Sequence, residues 1–266
     1  MGMDHHPWVD ADALRAALST HVRPLLSHID SLASVDSTNN YLLAAAEAGQ
    51  ASGSVCLAAC QTAGRGRRGR EWVSPPGGNL YLSLLWRYPT PPARLPSLSI
   101  ATGLAVAQTL RDLGIKAIQL KWPNDLHWQG RKLGGLLLET RIGTDCIVVA
   151  GIGINGVVDA VQASIDQPWI DLATVLNTRP DIQALAVRLL NRLLPLYRDY
   201  PDNSTDFSVA WSEFDSLAEQ PVTIEHQGQY WHGIARGIDA DGQLRVATTQ
   251  GLHVFSSGAV SVRMSV

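Results

Sequence analysis

Residues 55–70 read VCLAACQTAGRGRRGR, a short apolar run that leads into a loop of glycine and arginine. Residues 55–60 have the length and composition of a buried β-strand. The glycines of the loop let the backbone approach a ligand, and the arginines supply paired donors suited to carboxylate and phosphate. The stretch therefore predicts a strand that ends at a loop able to close over an anion. A flexible, solvated basic loop is an equally good interpretation of the composition alone.

The same loop contains G-x-G-x-x-G at residues 64–69, the pattern of a dinucleotide-binding turn. Such a turn must open a helix and be followed by an acidic residue about 20 positions later. Here Pro75 and Pro76 prevent a helix, and residues 84–88 hold Arg87 instead of an acid. A nucleic-acid patch is also disfavoured, because the net charge is -3 and neither a wider basic face nor interleaved aromatic residues accompany the loop.

The composition is that of a folded chain of 266 residues, 45% apolar and 17% charged, large enough for one large domain or for a large and a small one. Cys56, Cys60 and Cys146 are too few and too scattered for a disulfide framework or a zinc site, and the first two are expected in a buried strand. The sequence has no apolar signal region and no run of ~20 apolar residues. We therefore expect a cytoplasmic protein without a membrane segment.

The order of the predicted elements indicates an α+β fold. Asp36, Ser37 and Thr38 offer N-cap side chains for a helix over residues 41–48, and residues 98–113 predict a second helix. The helical spacing of apolar residues marks a third helix over residues 182–197. Strands are predicted at residues 55–60, 80–86, 118–121, 132–140 and 146–154.

The pattern changes from about residue 220. Short strands there alternate with turns such as Asp241-Gly242 and Gln250-Gly251, which predicts a small barrel of about five strands. The predicted domains are a short lead-in at residues 1–30 with a helix around residues 11–19, a large mixed α/β domain at residues 31–218, and an all-β domain at residues 219–266.

Lysine is rare, and its positions single out a second segment. It occurs only at Lys116, Lys121 and Lys132, and the last two belong to KWPND at residues 121–125 and RKLGG at residues 131–135. Residues 151–155 read GIGIN. Together with Ser37-Thr38-Asn39 and the glycine–arginine loop, these motifs give a sequence that closely resembles the biotin protein ligases. Each motif alone is weak or moderate, but five in family order are very specific.

The resemblance covers nearly everything after residue 30, since the segment Arg236-Gly237-Ile238-Asp239 is similar to the small β-barrel of that family. It implies a mixed α/β catalytic domain followed by an SH3-like barrel. It also implies two half-reactions. The biotin carboxylate attacks the α-phosphorus of ATP to give biotinyl-5′-AMP and pyrophosphate, and a carrier-protein lysine then displaces AMP.

The implied ligands are biotin and ATP as substrates, together with Mg²⁺. The implied partner is a biotin carboxyl carrier protein domain of acetyl-CoA carboxylase or a related carboxylase, and a homodimer is left open. Many bacterial relatives carry an N-terminal winged helix that makes them repressors of biotin synthesis. Because residues 1–30 are too few for such a domain, a ligase without operator DNA binding is expected.

Adenylation joins two anions, so positioned cations and Mg²⁺ must offset their repulsion. The resemblance makes Lys132 and Arg67 the catalytic candidates, with Lys132 between the biotin carboxylate and the transferred phosphate. For biotin it implies contacts from Ser37, Thr38, Asn39, Gln61, Arg65, Gly66, Arg67 and Lys132. For ATP and the adenylate it implies contacts from Arg65, Arg67, Arg68, Arg70, Trp72, Lys121, Asn124, Asn155 and Arg236. It implies Asp125 as a ligand of Mg²⁺, and Gly151 and Gly153 as places where the backbone passes close to the nucleotide.

Simpler structural roles stay open for several of these residues. Ser37 and Thr38 can serve only as helix caps, Trp72 can serve only to pack the loop, and Pro-Asn-Asp at residues 123–125 is a common turn sequence. The rival functions are a lipoate–protein ligase of the same fold, a non-catalytic sensor of biotin and a nucleic-acid binder. The arginine-rich loop favours biotin over lipoate, and Lys132 with that loop favours an enzyme over a sensor.

Overall fold

The computed structural model of the protein describes residues 9–158, 167–200, 206–258 and 260–264, so the first eight residues of the predicted lead-in lie outside it. The chain forms two compact units, each built from two separate stretches of sequence. Unit 1 comprises Met1–Pro92 and Arg131–Asp199, and unit 2 comprises Ala93–Gly130 and Tyr200–Val266. Each unit therefore combines segments that are far apart in the sequence.

Helices and strands alternate along the described chain. The helices are α1 (Ala11–Ala17), α2 (Thr38–Glu47), α3 (Leu98–Asp112), α4 (Leu172–Leu176), α5 (Ile182–Asp199) and α6 (Ser208–Ser212). The strands are β1 (His28–Leu32), β2 (Ser54–Ala58), β3 (Leu80–Tyr88), β4 (Ile118–Lys121), β5 (Asp125–Trp128), β6 (Arg131–Ile142), β7 (Cys146–Ile154), β8 (Pro221–His226), β9 (Gln229–Ile238), β10 (Leu244–Thr248), β11 (Gly251–Phe255) and β12 (Val260–Met264). The predicted helices and strands are present with slightly different bounds, whereas β1 and β5 have no counterpart in the sequence prediction.

Within unit 1 the strands run in the order β1-β2-β3-β7-β6. β1 and β2 are parallel, and the other neighbours are antiparallel. β2 is buried along its whole length and β3 along nearly all of it, as expected for strands that are apolar on both faces. α2 packs on this sheet through a cluster of buried apolar residues: Leu42, Leu43, Ala46, Cys56, Leu85 and Val149. Burying each leucine contributes roughly 1.5–3 kcal/mol, so apolar packing holds α2 on the sheet.

Cys56 belongs to this apolar cluster, as its place in an apolar strand predicts. Burial raises the pKa of its thiol to about 12. The thiol therefore stays protonated at neutral pH, and a protonated buried thiol is a poor nucleophile. Cys56 is a packing residue of the sheet.

The start of α2 differs from the sequence prediction in its capping. Ser37 is the N-cap residue, but its side chain makes no capping hydrogen bond. The backbone N–H of Thr38 instead donates to Oε1 of Gln61 at 2.9 Å. The prediction that Asp36, Ser37 and Thr38 cap this helix with their side chains is therefore wrong, because a distant glutamine takes over that role.

α1 and α5 pack against each other in unit 1. Asp10 caps α1 by accepting hydrogen bonds from the backbone N–H groups of Asp12 and Ala13. Oγ of Ser19 donates to Oδ1 of Asn191 at 2.7 Å, which ties the residues after α1 to α5. α5 buries one leucine-rich face.

No helix in the described ranges is long and apolar enough to cross a membrane.

Unit 2 contains α3, the β4–β5 hairpin and a five-stranded antiparallel sheet in the order β11-β10-β9-β8-β12. This sheet agrees with the five strands predicted for the C-terminal region. At the hairpin turn, the indole N–H of Trp122 donates to the carbonyl oxygen of Gly242 at 3.0 Å. Gly242 has a φ of +74°, and a Cβ there would lie 2.7 Å from Cγ1 of Ile100, so this turn requires glycine.

Candidate functional site

The glycine–arginine loop forms a small hairpin, residues 64–72, after the end of β2. The backbone N–H of Trp72 donates to the carbonyl oxygen of Gly64 at 2.9 Å, and that of Gly66 donates to the carbonyl oxygen of Arg70 at 2.7 Å. A 3-10 turn, Arg67–Gly69, closes the hairpin. The loop therefore presents its arginines from a hydrogen-bonded backbone, and we call it the arginine hairpin.

Gly64 stands where the two arms of the arginine hairpin approach most closely. A Cβ at this position would lie 2.3 Å from the carbonyl oxygen of Trp72 and 2.5 Å from Oγ of Ser74. A side chain there would push the arms apart. The close backbone approach predicted for the loop glycines thus occurs, at Gly64, between parts of the protein itself.

Gln61 connects the foot of the arginine hairpin to the start of α2. Its Oε1 accepts from the backbone N–H of Thr38, and its Nε2 donates to Oγ of Ser74, both at 2.9 Å. Oγ of Ser74 donates in turn to the carbonyl oxygen of Trp72 at 2.9 Å. These contacts fix the orientation of the Gln61 amide, since its oxygen faces a donor and its nitrogen faces an acceptor.

Ser83 joins Thr38 and Asn39 from the neighbouring strand β3. Its Oγ is fully buried and lies 2.7 Å from Oγ1 of Thr38 and 2.6 Å from Oδ1 of Asn39. Buried polar groups need hydrogen-bond partners, and here the partners are two predicted biotin contacts. Ser83 is absent from the predicted site, although a small polar residue between the leucines of the strand LYLSLLWRY is a signal for it. Thr38, Asn39, Gln61 and Ser83 together form what we call the polar floor.

Glu139, on β6, links the polar floor to the arginine hairpin. Its Oε1 accepts from Nη2 of Arg65 at 2.8 Å, and its Oε2 accepts from Nδ2 of Asn39 at 2.9 Å. Nη1 of Arg65 also donates to Oδ1 of Asn40. Glu139 is another residue that the sequence prediction omits, and its only signal is an acidic side chain near the end of an apolar strand.

Lys132 lies beside Trp72. Its Nζ is 5.3 Å from the centroid of the indole ring, which is within the range of a cation–π contact. The backbone N–H of Lys132 donates to the carbonyl oxygen of Pro168, and its carbonyl oxygen accepts from the N–H of Ile170, both at 2.9 Å. The positive charge of Lys132 is therefore carried by a backbone that is fixed on both sides.

Gly151 and Gly153, on β7, provide space for two of the predicted ligand contacts. A Cβ at Gly151 would lie 2.4 Å from Oδ1 of Asn39, and a Cβ at Gly153 would lie 2.8 Å from the ring of Trp72. The sequence predicts a close backbone approach at both glycines. The groups that approach in this structure are the side chains of Asn39 and Trp72.

Asn155, a predicted nucleotide contact, makes hydrogen bonds within the protein. Its Nδ2 donates to the carbonyl oxygens of Ile170 at 3.1 Å and Lys132 at 3.4 Å, and its backbone N–H donates to the carbonyl oxygen of Leu133 at 2.9 Å. Asn155 thereby fastens residues 168–172 to the start of β6. Its side chain supports the segment that carries Lys132.

Four predicted site residues belong to unit 2, namely Lys121, Asn124, Asp125 and Arg236. Lys121 and Asp125 pair in register across the β4–β5 hairpin, and the backbone N–H of Asn124 donates to the carbonyl oxygen of Lys121 at 3.2 Å. Arg236 lies on β9 and forms an ion pair with Glu219. Unit 2 thus gathers the first three residues around one turn, and all other predicted site residues belong to unit 1.

Comparisons with known proteins match both parts of the chain. The Biotin/lipoate A/B protein ligase family matches residues 31–155, and the Biotin protein ligase C terminal domain matches residues 218–263. The chain is 38% identical over 235 residues to the bifunctional ligase/repressor BirA of Escherichia coli, covering 86% of this chain and 72% of that protein. It is 33% identical over 238 residues to a biotin–[acetyl-CoA-carboxylase] ligase of Mycobacterium tuberculosis, covering 87% of this chain and 88% of that protein.

The similarity extends to a solved structure. The chain matches the biotin protein ligase from Aquifex aeolicus in complex with biotin and ATP with a TM-score of 0.78 and 28% sequence identity. The match covers 90% of this chain and 100% of that chain. The similarity in fold therefore extends over most of the sequence.

Proposed function

Because this chain is a biotin protein ligase of the biotin/lipoate A/B protein ligase family, we propose that the side chains gathered in unit 1 bind biotin and activate it with ATP. In the first step the biotin carboxylate attacks the α-phosphorus of ATP, and pyrophosphate leaves. In the second step a lysine amine of the carrier protein attacks the carbonyl of the mixed anhydride, and AMP leaves.

The observation that carries this proposal is the connection of the polar floor to the arginine hairpin. Gln61 makes that connection through Ser74, and Glu139 makes it through Arg65. One part of the site is rich in buried hydrogen-bonding groups, and the other carries several positive charges. Biotin has the matching parts, since its ureido ring is a neutral hydrogen-bonding group and its tail ends in a carboxylate.

The polar floor favours biotin over lipoate. The dithiolane ring of lipoate has no N–H or C=O group, so it could not use the hydrogen-bonding capacity that Thr38, Ser83 and Gln61 have left beyond their bonds within the protein. A site built to hydrogen-bond its ligand discriminates strongly against an analogue that lacks those groups. We therefore assign the polar floor to the ureido ring, with Ser37 beside it.

Lys132 is the proposed catalytic cation. Adenylation brings a carboxylate against a phosphate, and a positive charge between them stabilises the charge that develops in the transition state. Its fixed backbone and its contact with Trp72 favour a positioned ammonium group. We propose that Lys132 contacts both the biotin carboxylate and the transferred phosphate.

The arginine hairpin is the proposed cover of the adenylate. Arg65, Gly66 and Arg67 face the acyl end, and Arg68 and Arg70 add positive charge for the phosphate. A closed hairpin keeps water from the anhydride, which would otherwise hydrolyse. Trp72, at the foot of this hairpin, is assigned to the adenylate as well.

The remaining nucleotide contacts are proposed for Lys121, Asn124, Asn155 and Arg236, with Mg²⁺ held in part by Asp125. Within the described residues, no three His, Cys, Asp or Glu side chains group closely enough to hold a metal ion. That fits Mg²⁺, which proteins commonly bind through one or two carboxylates while substrate phosphates supply further oxygens. Mg²⁺ would neutralise phosphate charge, and Asp125 would hold it near the β4–β5 turn.

The proposed protein substrate is a biotin carboxyl carrier domain of acetyl-CoA carboxylase or a related carboxylase. The domain division proposed for this reaction is a lead-in at residues 1–30, a catalytic domain at residues 31–218 and a C-terminal barrel at residues 219–266.

The proposed compartment is the cytoplasm, where free cysteines stay reduced. Symmetric pairing through an edge strand would give a homodimer, which sedimentation at several concentrations would detect.

The first test measures pyrophosphate release from Mg-ATP with biotin or lipoate supplied separately. We expect release with biotin alone, followed by transfer of label to an isolated carrier domain when it is added. Release with lipoate alone would contradict the substrate assignment. Binding of biotin without any pyrophosphate release would instead support a sensor.

A further inference from the structure

Glu139 is a largely buried carboxylate whose two oxygens serve different parts of the site. Oε1 accepts from Arg65 at 2.8 Å, and Oε2 accepts from Asn39 at 2.9 Å. Its side chain is 12% exposed. A carboxylate in such a place is destabilising unless its oxygens are hydrogen-bonded or ion-paired. A negative charge next to a site for anionic ligands also opposes their binding, so Glu139 needs a role that offsets both costs.

Glu139 and the carbonyl oxygen of Leu137 together fix which way the Asn39 amide faces. Nδ2 of Asn39 donates to Glu139 and to the carbonyl oxygen of Leu137 at 3.1 Å, so Oδ1 faces Ser83. A hydroxyl group has one proton, and Ser83 must give it to Oδ1, because Oδ1 can only accept. The Thr38 hydroxyl gives its own proton to Oε1 of Gln61 at 3.2 Å, and its Oγ1 lies 2.7 Å from Oγ of Ser83. The Thr38 proton is thereby used inside the protein, and its lone pairs are left for a ligand N–H.

We propose that Glu139 is a positioning residue that holds the Asn39 amide with its oxygen toward Ser83 and holds Arg65 beside the polar floor before biotin binds. The inference rests on the proposed function, because it takes biotin as the ligand of the floor. The ureido ring of biotin carries N–H groups, which match a Thr38 hydroxyl that accepts.

Only a carboxylate at position 139 satisfies both partners. Asn39 and Arg65 both donate, so each needs an acceptor oxygen. A glutamine side chain has one acceptor oxygen and must turn its own N–H₂ group toward one of the two donors. It would therefore lose the bond to Arg65 or the bond to Asn39, whose Nδ2 stays directed at the carbonyl oxygen of Leu137.

The test is Glu139→Gln in the full chain, with biotin binding measured by calorimetry and adenylation by pyrophosphate release. We expect the Kd for biotin to rise at least about tenfold, since a hydrogen bond to a charged group is lost. The KM for ATP at saturating biotin should stay within about twofold of the wild type, because the change acts on the biotin end of the site. If Glu139 had a purely structural role, Glu139→Gln would instead lower the midpoint of thermal unfolding and weaken the binding of both substrates alike.

Glu213→Gln is the matched control. It also removes the charge from a 2.8 Å ion pair, and Arg111 in that pair has the same 41% exposure as Arg65, but Glu213 is 56% exposed and belongs to unit 2. Its Kd for biotin should equal that of the wild type. Glu139→Asp keeps two acceptor oxygens on a shorter side chain and should bind biotin more tightly than Glu139→Gln.

Three results would overturn the inference. Glu139→Gln could bind biotin as tightly as Glu213→Gln does, or it could weaken the binding of biotin and of ATP equally. Glu139→Asp could also bind biotin more weakly than Glu139→Gln does. Failure of the proposed function would look different. In that case the wild-type protein itself would neither bind biotin nor release pyrophosphate with it.

Discussion

The indole ring of Trp72 lies directly against Gly153, where a Cβ would come within 2.8 Å of the ring atoms Cε2 and Nε1. The backbone of Gly153 pairs with Tyr81 on one side and Gly135 on the other, so it has little freedom to retreat. Nζ of Lys132 lies 5.3 Å from the centroid of the same ring. The missing side chain at Gly153 thus sets the position of Trp72 beside the proposed catalytic cation.

Gly153→Ala should slow adenylate formation about 10-fold to 100-fold, because the added methyl group must displace the Trp72 ring. Circular dichroism should stay that of the wild type, since the sheet itself accommodates alanine. Single-turnover pyrophosphate release with saturating biotin and Mg-ATP measures the rate.

Gly143→Ala is the control for this substitution. It makes the same exchange in the turn between β6 and β7, where nothing lies within 4 Å of the added Cβ. It should turn over at the wild-type rate. Equal rates for the two alanine variants would mean that adenylation does not depend on the position of the Trp72 ring against Gly153.

Lys132→Ala should reduce the rate of pyrophosphate release at least about 10²–10³-fold, because it removes the charge that stabilises the developing phosphate. The protein should still fold, since the backbone bonds of Lys132 do not depend on its side chain. Lys116→Ala removes an exposed lysine and should leave the rate unchanged. Near-normal turnover of Lys132→Ala would exclude Lys132 from the proposed role.

Arg67→Gly should let biotinyl-5′-AMP escape before transfer, because it removes a half-buried side chain from the closing turn of the arginine hairpin. The measurement is the labelling of lysines on an unrelated protein, such as serum albumin, present during turnover. We expect clearly more labelling than with the wild type.

Arg68→Gly separates loss of the Arg67 side chain from added flexibility of the backbone. Arg68 is exposed and already has a φ of +58°, a conformation that glycine adopts without strain. We expect less escape of the adenylate than with Arg67→Gly. Equal labelling by the two variants would assign the effect to flexibility of the turn.

The parts of the site that lie within one stretch of sequence can be predicted from that stretch. Glycine and proline mark the arginine hairpin and the turn at residues 123–125, because these residues restrict the local backbone. The polar floor depends on long-range pairing instead. Ser83 and Glu139 reach Asn39 from 44 and 100 positions away, and no local pattern says which strands become neighbours.

The wrong prediction at the start of α2 has the same physical cause. Local capping by Ser37 is a reasonable expectation from the sequence. The fold brings Gln61 close enough to accept from the N–H of Thr38, 23 positions away. Gly153 is a similar case, because the need for glycine there comes from Trp72 on a distant loop.

Asp215, in unit 2, is a mostly buried carboxyl group with one satisfied oxygen. Its Oδ1 accepts from the backbone N–H of Leu217 at 2.8 Å, whereas its Oδ2 makes no hydrogen bond to any residue described. Burial raises the pKa of Asp215, and the backbone N–H of Leu217 and the nearby side chain of Trp211 oppose that rise only in part. Because the pKa is higher in the folded than in the unfolded chain, the unfolded chain loses its proton first, and stability falls as the pH rises from about 4.

Asp215→Asn should therefore stabilise the protein by about 1 kcal/mol at pH 7, and the gain should shrink toward zero as the pH falls to 4. Urea denaturation at a series of pH values between 4 and 8 measures the difference from the wild type. Asp181→Asn is the control, because Asp181 also accepts one backbone hydrogen bond, from Ala184 at 2.9 Å, but is exposed. Because Asp181 is exposed, its substitution should change the stability at pH 7 by less than about 0.5 kcal/mol. A gain for Asp215→Asn that is equally large at pH 4 and pH 7 would show that the substitution acts through packing, because a titrating carboxyl group must lose its effect once it is protonated in both states.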